Sequence, residues 1–187
     1  MNKPKMKQHP RRFSALAVIG AFTVGALFAL PTANADTQVN ATGSYTDHQY
    51  VTSCTTSQHD LYEIDTYTIR ITFTGTFTGV LEGTEVDVNY PSNGYFTAQG
   101  DGTFTGSVAG RSGTVHMTYL DAGPPPAHGQ IANMWMVSAG TGDLEGLAGQ
   151  GIFQHVVVTG YTPNPDCPYG PTLDFAGKVS GQLQFAQ

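Results

Sequence analysis

From Leu61 to Phe73 the chain alternates, with Leu61, Tyr67, Ile69, Ile71 and Phe73 on one face and Tyr62, Ile64, Thr66, Thr68, Arg70 and Thr72 on the other. A period of two is that of a β-strand, whose successive side chains point to opposite faces. Val86, Val88 and Tyr90 alternate in the same way with Glu85, Asp87 and Asn89, and Pro91-Ser92-Asn93-Gly94 then reads as a hairpin loop into an antiparallel strand from Tyr95. Further strands are predicted over 39–51, 95–107, 114–120, 131–138, 151–159 and 172–185. Gly100-Asp101-Gly102 reads as a bulge, 109–113 as a turn, and Gly177 or Gly181 as an interruption of the last strand. The proline run 124–126 belongs to a loop over 121–129, because consecutive prolines donate no backbone hydrogen bonds.

No stretch after residue 35 carries an amphipathic helical period, so the fold class is all-β. About eight strands with short links favour a closed antiparallel barrel, which removes the open edges that a threonine-rich sheet would otherwise expose. A β-sandwich is the alternative. The glycine-dense segment from Gly140 to Phe153 fits a corner of tight backbone between two apolar strands, and the phrases 75–79 and 102–106, both Gly-Thr-Phe-Thr-Gly, read as equivalent corners or bulges.

Ahead of this domain, residues 1–35 have the form of a secretory signal peptide: Lys3, Lys5, Lys7, Arg11 and Arg12, then the apolar run 15–30, then Ala33-Asn34-Ala35. The apolar run is shorter than the about 20 residues of a spanning helix. The expected organisation is a leader at 1–35 and one barrel domain over 36–187, secreted or otherwise extracytoplasmic and free of the membrane once the leader is cleaved. Without the leader, three cationic side chains, Arg70, Arg111 and Lys178, face fourteen acidic ones. Such a surface repels phosphate backbones and anionic lipid, which argues against a nucleic-acid partner. Oligomeric state is not legible.

The two cysteines, Cys54 and Cys167, both follow the leader, and an even pair in an oxidising compartment predicts a disulfide. Neither adjoins a cationic residue or forms a Cys-x-x-Cys pair, so a reactive thiol is disfavoured. The histidines after the leader, at 48, 59, 116, 128 and 155, show no metal-binding spacing, and no metal or other cofactor is expected. His116 and His155 are expected to face away from the apolar phase.

Three blocks carry a family resemblance: Phe73 to Gly79 with Leu81-Glu82-Gly83-Thr84; Gly102 to Tyr119; and Trp135 to Phe153, including Gly-Thr-Gly-x-Leu-x-Gly-Leu-x-Gly-x-Gly. In these the chain resembles an uncharacterised bacterial family with the allene oxide cyclase/dirigent type of barrel. The resemblance implies a closed eight-stranded antiparallel barrel that holds a small hydrophobic compound in its lumen. It carries over no catalytic residue.

Within such a lumen, polar residues on the apolar phase are the clues. Asn133 is in phase with Ile131, Trp135 and Val137, and Gln154 with Ile152, Val156 and Val158. With Tyr67, Met117, Tyr119 and Trp135 they form the expected ligand-binding set. Glu63 and Asp65, in phase with Tyr67, are candidates for an acid or base at one barrel mouth, set against the simpler reading of a solvated strand end. Three functions follow: binding of a small hydrophobic or aromatic ligand, a metal-independent isomerase or cyclase, or a cell-surface structural or interaction protein using 121–129 or 163–171 as its contact.

Overall fold

The computed structural model describes residues 37–56, 61–123 and 132–186; the leader, His59, His128 and the proline run lie outside them. The domain is a ring of eight strands: β1 (Thr37–Thr56), β2 (Glu63–Gly75), β3 (Phe77–Tyr90), β4 (Tyr95–Val108), β5 (Arg111–Gly123), β6 (Ala132–Gly142), β7 (Leu147–Asn164) and β8 (Cys167–Phe185). Each pairs antiparallel with its sequence neighbours, and β1 closes on β8 from Thr37↔Phe185 to Gln49↔Leu173, so the sheet is a barrel.

The links are those that antiparallel neighbours need. Ala109 and Gly110 alone join β4 to β5, both at positive φ (51° and 83°), the geometry of a two-residue hairpin whose twist matches its strands. The expected five-residue turn is therefore shorter, because Arg111 to Gly113 already pair with β4. β4 runs in unbroken register through Gly100-Asp101-Gly102, so no bulge stands there. Of the two Gly-Thr-Phe-Thr-Gly phrases, the first turns β2 into β3 and the second lies within β4. β8 likewise continues through Gly177 and Gly181. A Cβ on Gly177 would lie 2.6 Å from the Tyr45 ring and one on Gly181 2.4 Å from the Trp135 indole, so these glycines make room for rings.

The inward phase divides the barrel into two halves. At the end formed by the 75–77, 109–110 and 143–146 turns, aromatic and aliphatic side chains pack solid. Phe77 meets Phe104 and Trp135 edge to face at ring separations of 5.6 and 5.5 Å, and Phe73 meets Phe104 at 6.0 Å. Leu144, in the β6–β7 turn, folds inward with Leu147 and Phe185 and is fully buried, plugging that end. The glycine-dense segment is thus a true corner over 143–146, followed by glycines inside β7.

At the other end the wall loosens. β6 and β7 pair over five residue couples only, from Asn133↔Phe153 to Val137↔Gly149, and the β7–β8 ladder shifts register at Gln154/Val157, Val158/Gly160 and Thr162/Asn164. There the Cys54–Cys167 disulfide, whose cysteines have a sequence separation of 113, joins β1 to β8 beyond the last β1–β8 pair. Residues 163–171, a candidate contact segment in the sequence, form the β7–β8 hairpin.

Candidate functional site

The open half of the barrel encloses a cavity of about 630 Å³. Its outer wall is apolar, with Tyr90, Pro91, Tyr95 and Phe96 from the β3–β4 hairpin and Val156, Tyr161, Pro168 and Leu173 from β7 and β8. Its floor is different. Tyr45, Asp47 and Gln49 of β1, Glu85 and Asp87 of β3, Tyr119 and Asp121 of β5, and Asn133 of β6 all line it.

Strand phase puts them there. The residues that carry the core of β3, Phe77 and Leu81, are odd-numbered, and the same phase continues without a bulge to Glu85 and Asp87. Val86 consequently lies on the outer surface. Val86 and Val88 take the opposite face to Glu85 and Asp87 because pairing with β2 and β4 fixes the register over the whole strand. Asp47 follows Ala41 and Tyr45 in the same manner, and Asp121 follows Val115, Met117 and Tyr119.

Pairing across the ring then assembles the site in rows. One row runs Asp65↔Asp87↔Ala98↔Asp121↔Asn133↔Phe153, and the next runs Tyr67↔Glu85↔Gly100↔Tyr119↔Trp135. In the second row Gly100 is required, since a Cβ there would lie 2.1 Å from Tyr119 Cζ. The absent side chain lets the Tyr119 ring lie across β4, from where its hydroxyl donates to Glu85. Gln49 Nε2 donates to Asp47 at 2.8 Å and to Glu85 at 3.3 Å. Glu85 and Asp87 also share a hydrogen bond, which requires a proton on one of them.

No Lys or Arg among the described residues faces this floor. Arg70 pairs with Glu82 on the outer surface, Arg111 stacks on the Phe185 ring at 4.1 Å, and Lys178 donates to Ser44 at the outer surface. Burial without a counter-charge therefore pushes the carboxyls up, as it must in a medium of low polarity. Asp47 rises to about 8, by burial first and then by the charge of Glu85. Asp121 rises to about 7 for the same two reasons. Glu85 rises by burial, opposed by its hydrogen bonds, and Asp87 rises well above the usual range by burial and the neighbouring Glu85. The phenols of Tyr45, Tyr67 and Tyr119 are raised too, by burial and then by these carboxyls.

The expected site residues divide. Tyr67, Tyr119 and Asn133 line the cavity. Met117 and Trp135 are fully buried but belong to the packed half, because strand tilt carries a row of paired residues from one level of a barrel to another. Gln154 is outside the cavity wall. The inward residue of that part of β7 is Phe153, and only after the irregularity at His155, whose φ is 52°, does Val156 turn in. One bulge inverts the phase of everything beyond it.

Glu63 and Asp65 are fully buried, not solvated strand ends. They sit behind the cavity wall, where Thr56 donates to Glu63 at 3.0 Å, Asn89 to Asp65 at 2.8 Å, and Asp65 lies against the Cys54–Cys167 bridge. Asp65 is pushed up to about 7 by burial and then by Glu63. His116 and His155 face outward, His116 against Asp101 at 2.8 Å. Asp47, Gln49, Glu85, Asp87 and Asp121 were not anticipated as site residues. Extending the Phe77–Leu81 and Val115–Tyr119 phases without interruption would have found three of them.

A protein family described as "Protein of unknown function (DUF3224)" matches residues 41–157. Among solved structures, a protein of unknown function from the DUF3224 family of Shewanella oneidensis MR-1 is similar at 15% identity and a TM-score of 0.56, covering 78% of this chain and 96% of that one. That likeness is one of fold. No curated protein matches the chain.

Proposed function

This chain belongs to the DUF3224 family, and we propose that it is an exported binding barrel that holds one small hydrophobic or aromatic molecule in the open half of its lumen. The observation that carries the reading is the cavity itself. At about 630 Å³ it falls within the range of small-molecule sites, about 300–1,000 Å³, and it has their character of apolar walls with a few convergent polar groups. The barrel type that the sequence resembles, that of allene oxide cyclases and dirigent proteins, points the same way. Export is supported by the form of residues 1–35 and by the disulfide.

Titration with the neutral, environment-sensitive dye N-phenylnaphthylamine tests the reading. Saturable binding is expected, weakened about tenfold or more in Val156→Trp, whose indole would occupy the cavity (tenfold being about 1.4 kcal/mol). No saturable binding, or equal binding by the variant, overturns it. A second reading, a metal-independent isomerase or cyclase, is favoured by one feature: Asp47 and Asp87, whose carboxyls burial pushes up, lie near the Tyr119 phenol on the cavity floor. It differs from the first by requiring turnover of the bound molecule.

A further inference from the structure

We propose that the molecule held in the lumen is an organic cation, an apolar or aromatic body bearing one ammonium-type group, with that group seated among Asp47, Glu85, Asp87 and Asp121. The inference rests on the lumen-binding reading above and adds the chemical class of the ligand.

Three features of the floor support it together. The first is incomplete hydrogen bonding in a buried place. Oδ1 of Asp47, Oδ1 of Asp87 and Oδ1 of Asn133 have no partner, although these residues are 7%, 8% and 8% exposed and all line the cavity. Buried acceptors are nearly always satisfied, so three such oxygens on residues that line one cavity leave acceptor capacity there for a donor. An ammonium is a donor with no acceptor. The second is charge. Four carboxyls share the floor with no basic side chain among the described residues, and a cation is the ligand whose charge this arrangement neutralises. The third is spacing. The only set of three His, Cys, Asp or Glu ligand atoms within 4.8 Å of one another, among the described residues, is Cys54, Asp65 and Cys167, of which the two sulfurs are bonded to each other. The floor carboxyls are more widely dispersed than a bare metal ion requires, and they suit a group with hydrogens directed several ways. The rings of Tyr45, Tyr67 and Tyr119 beside them add faces that attract a cation.

Cation binding is consequently linked to proton release. The titratable groups that face the site are Tyr45 and Asp47 from β1, Tyr67 from β2, Glu85 and Asp87 from β3, and Tyr119 and Asp121 from β5. Asp65 and Glu63 of β2 stand behind the wall, and Asp174 of β8 acts on Asp47 from outside. β6 presents Asn133, β4 presents Tyr95 and Phe96, and Tyr95 stands with Tyr90 of β3 and Tyr161 of β7 in the outer wall. Raising the pH strips protons from the carboxyls while an alkylammonium, like lysine with its pKa near about 10.4, keeps its charge, so affinity rises with pH.

The test uses three probes with the same apolar body: naphthylethylamine, naphthylethanol and naphthylacetate, titrated calorimetrically into the disulfide-bonded protein. At about pH 8 the amine is expected to bind about tenfold or more tighter than the alcohol, with the acetate weakest, and at about pH 5 the amine-to-alcohol ratio should fall to within about twofold. The double variant Asp47→Asn, Asp87→Asn should bring the ratio down at about pH 8 as well. If that variant does not fold, the pH titration of the unaltered protein makes the same discrimination. Equal binding of amine and alcohol at about pH 8, or tightest binding of the acetate, overturns the proposal and leaves the lumen reading standing. Binding of none of the three overturns both, and calcium binding that displaces the amine replaces the organic cation with a metal.

Discussion

Gly100 and Tyr119 show how one absent side chain organises the site. The Tyr119 ring occupies the place of a Cβ at position 100, and its hydroxyl reaches Glu85 from there. Gly100→Ala should therefore destabilise the domain by about 1–3 kcal/mol, the usual cost of an extra methyl in a packed place. That loss should largely disappear in a Tyr119→Ala background. A double-mutant cycle from urea denaturation measures the coupling, and independent costs would show that the ring is not what the methyl meets. Asp65 teaches the complementary point. Its carboxyl is buried and pushed up to about 7, yet it stands behind the cavity wall, so a perturbed acid is not by itself a site.

At the level of elements, the mouth of the barrel depends on β1 and β8 staying together past the end of their ladder. Gln49↔Leu173 is the last β1–β8 pair, and beyond it the Cys54–Cys167 bridge spans the gap. The bridge closes a sequence separation of 113 residues, so its loss should cost about 2–5 kcal/mol. Urea midpoints of the oxidised protein and of the Cys54→Ala, Cys167→Ala variant provide the measurement. Amide exchange should rise most at the start of β8 and the end of β1, while the packed half around Phe77, Phe104 and Trp135 stays protected. Uniform loss of protection would mean that the two halves of the barrel do not differ in stability.

For the whole molecule, the buried acids set the dependence of stability on pH. Asp47, Asp65 and Asp121 are pushed up to about 8, about 7 and about 7 in the folded barrel, from an ordinary carboxyl value of 3.8 that the same groups recover in the unfolded chain. Between those values the folded state binds more protons than the unfolded one, so stability falls as pH rises. The melting temperature should be higher at about pH 5 than at about pH 8, and Asp47→Asn should flatten the slope by removing one of the linked protons. A melting temperature that climbs over this interval would contradict the burial of uncompensated carboxyls. The trend opposes that of cation binding, so an ammonium ligand should stabilise the protein most where the empty barrel is weakest.

Alternation in β2, the turn residues at 91–94 and the two cysteines were enough to specify an all-β, disulfide-bonded domain, because period, turn chemistry and redox pairing are properties of neighbouring residues or of simple counts. They also placed Tyr67, Tyr119 and Asn133 on the inward phase correctly, since no irregularity separates these residues from the core of their own strands. What only the tertiary structure decided is which inward residues meet. The tilt of the strands sends Trp135 into the packed half and leaves Tyr119 of the same row at the cavity. Gln154 lies outward because Phe153 is the inward residue ahead of the irregularity at His155, and cross-strand register turns Glu85 and Asp87 inward against the hydropathy of their own strand. Hydropathy reads one strand at a time, whereas the acidic floor is made by pairing among strands far apart in the chain.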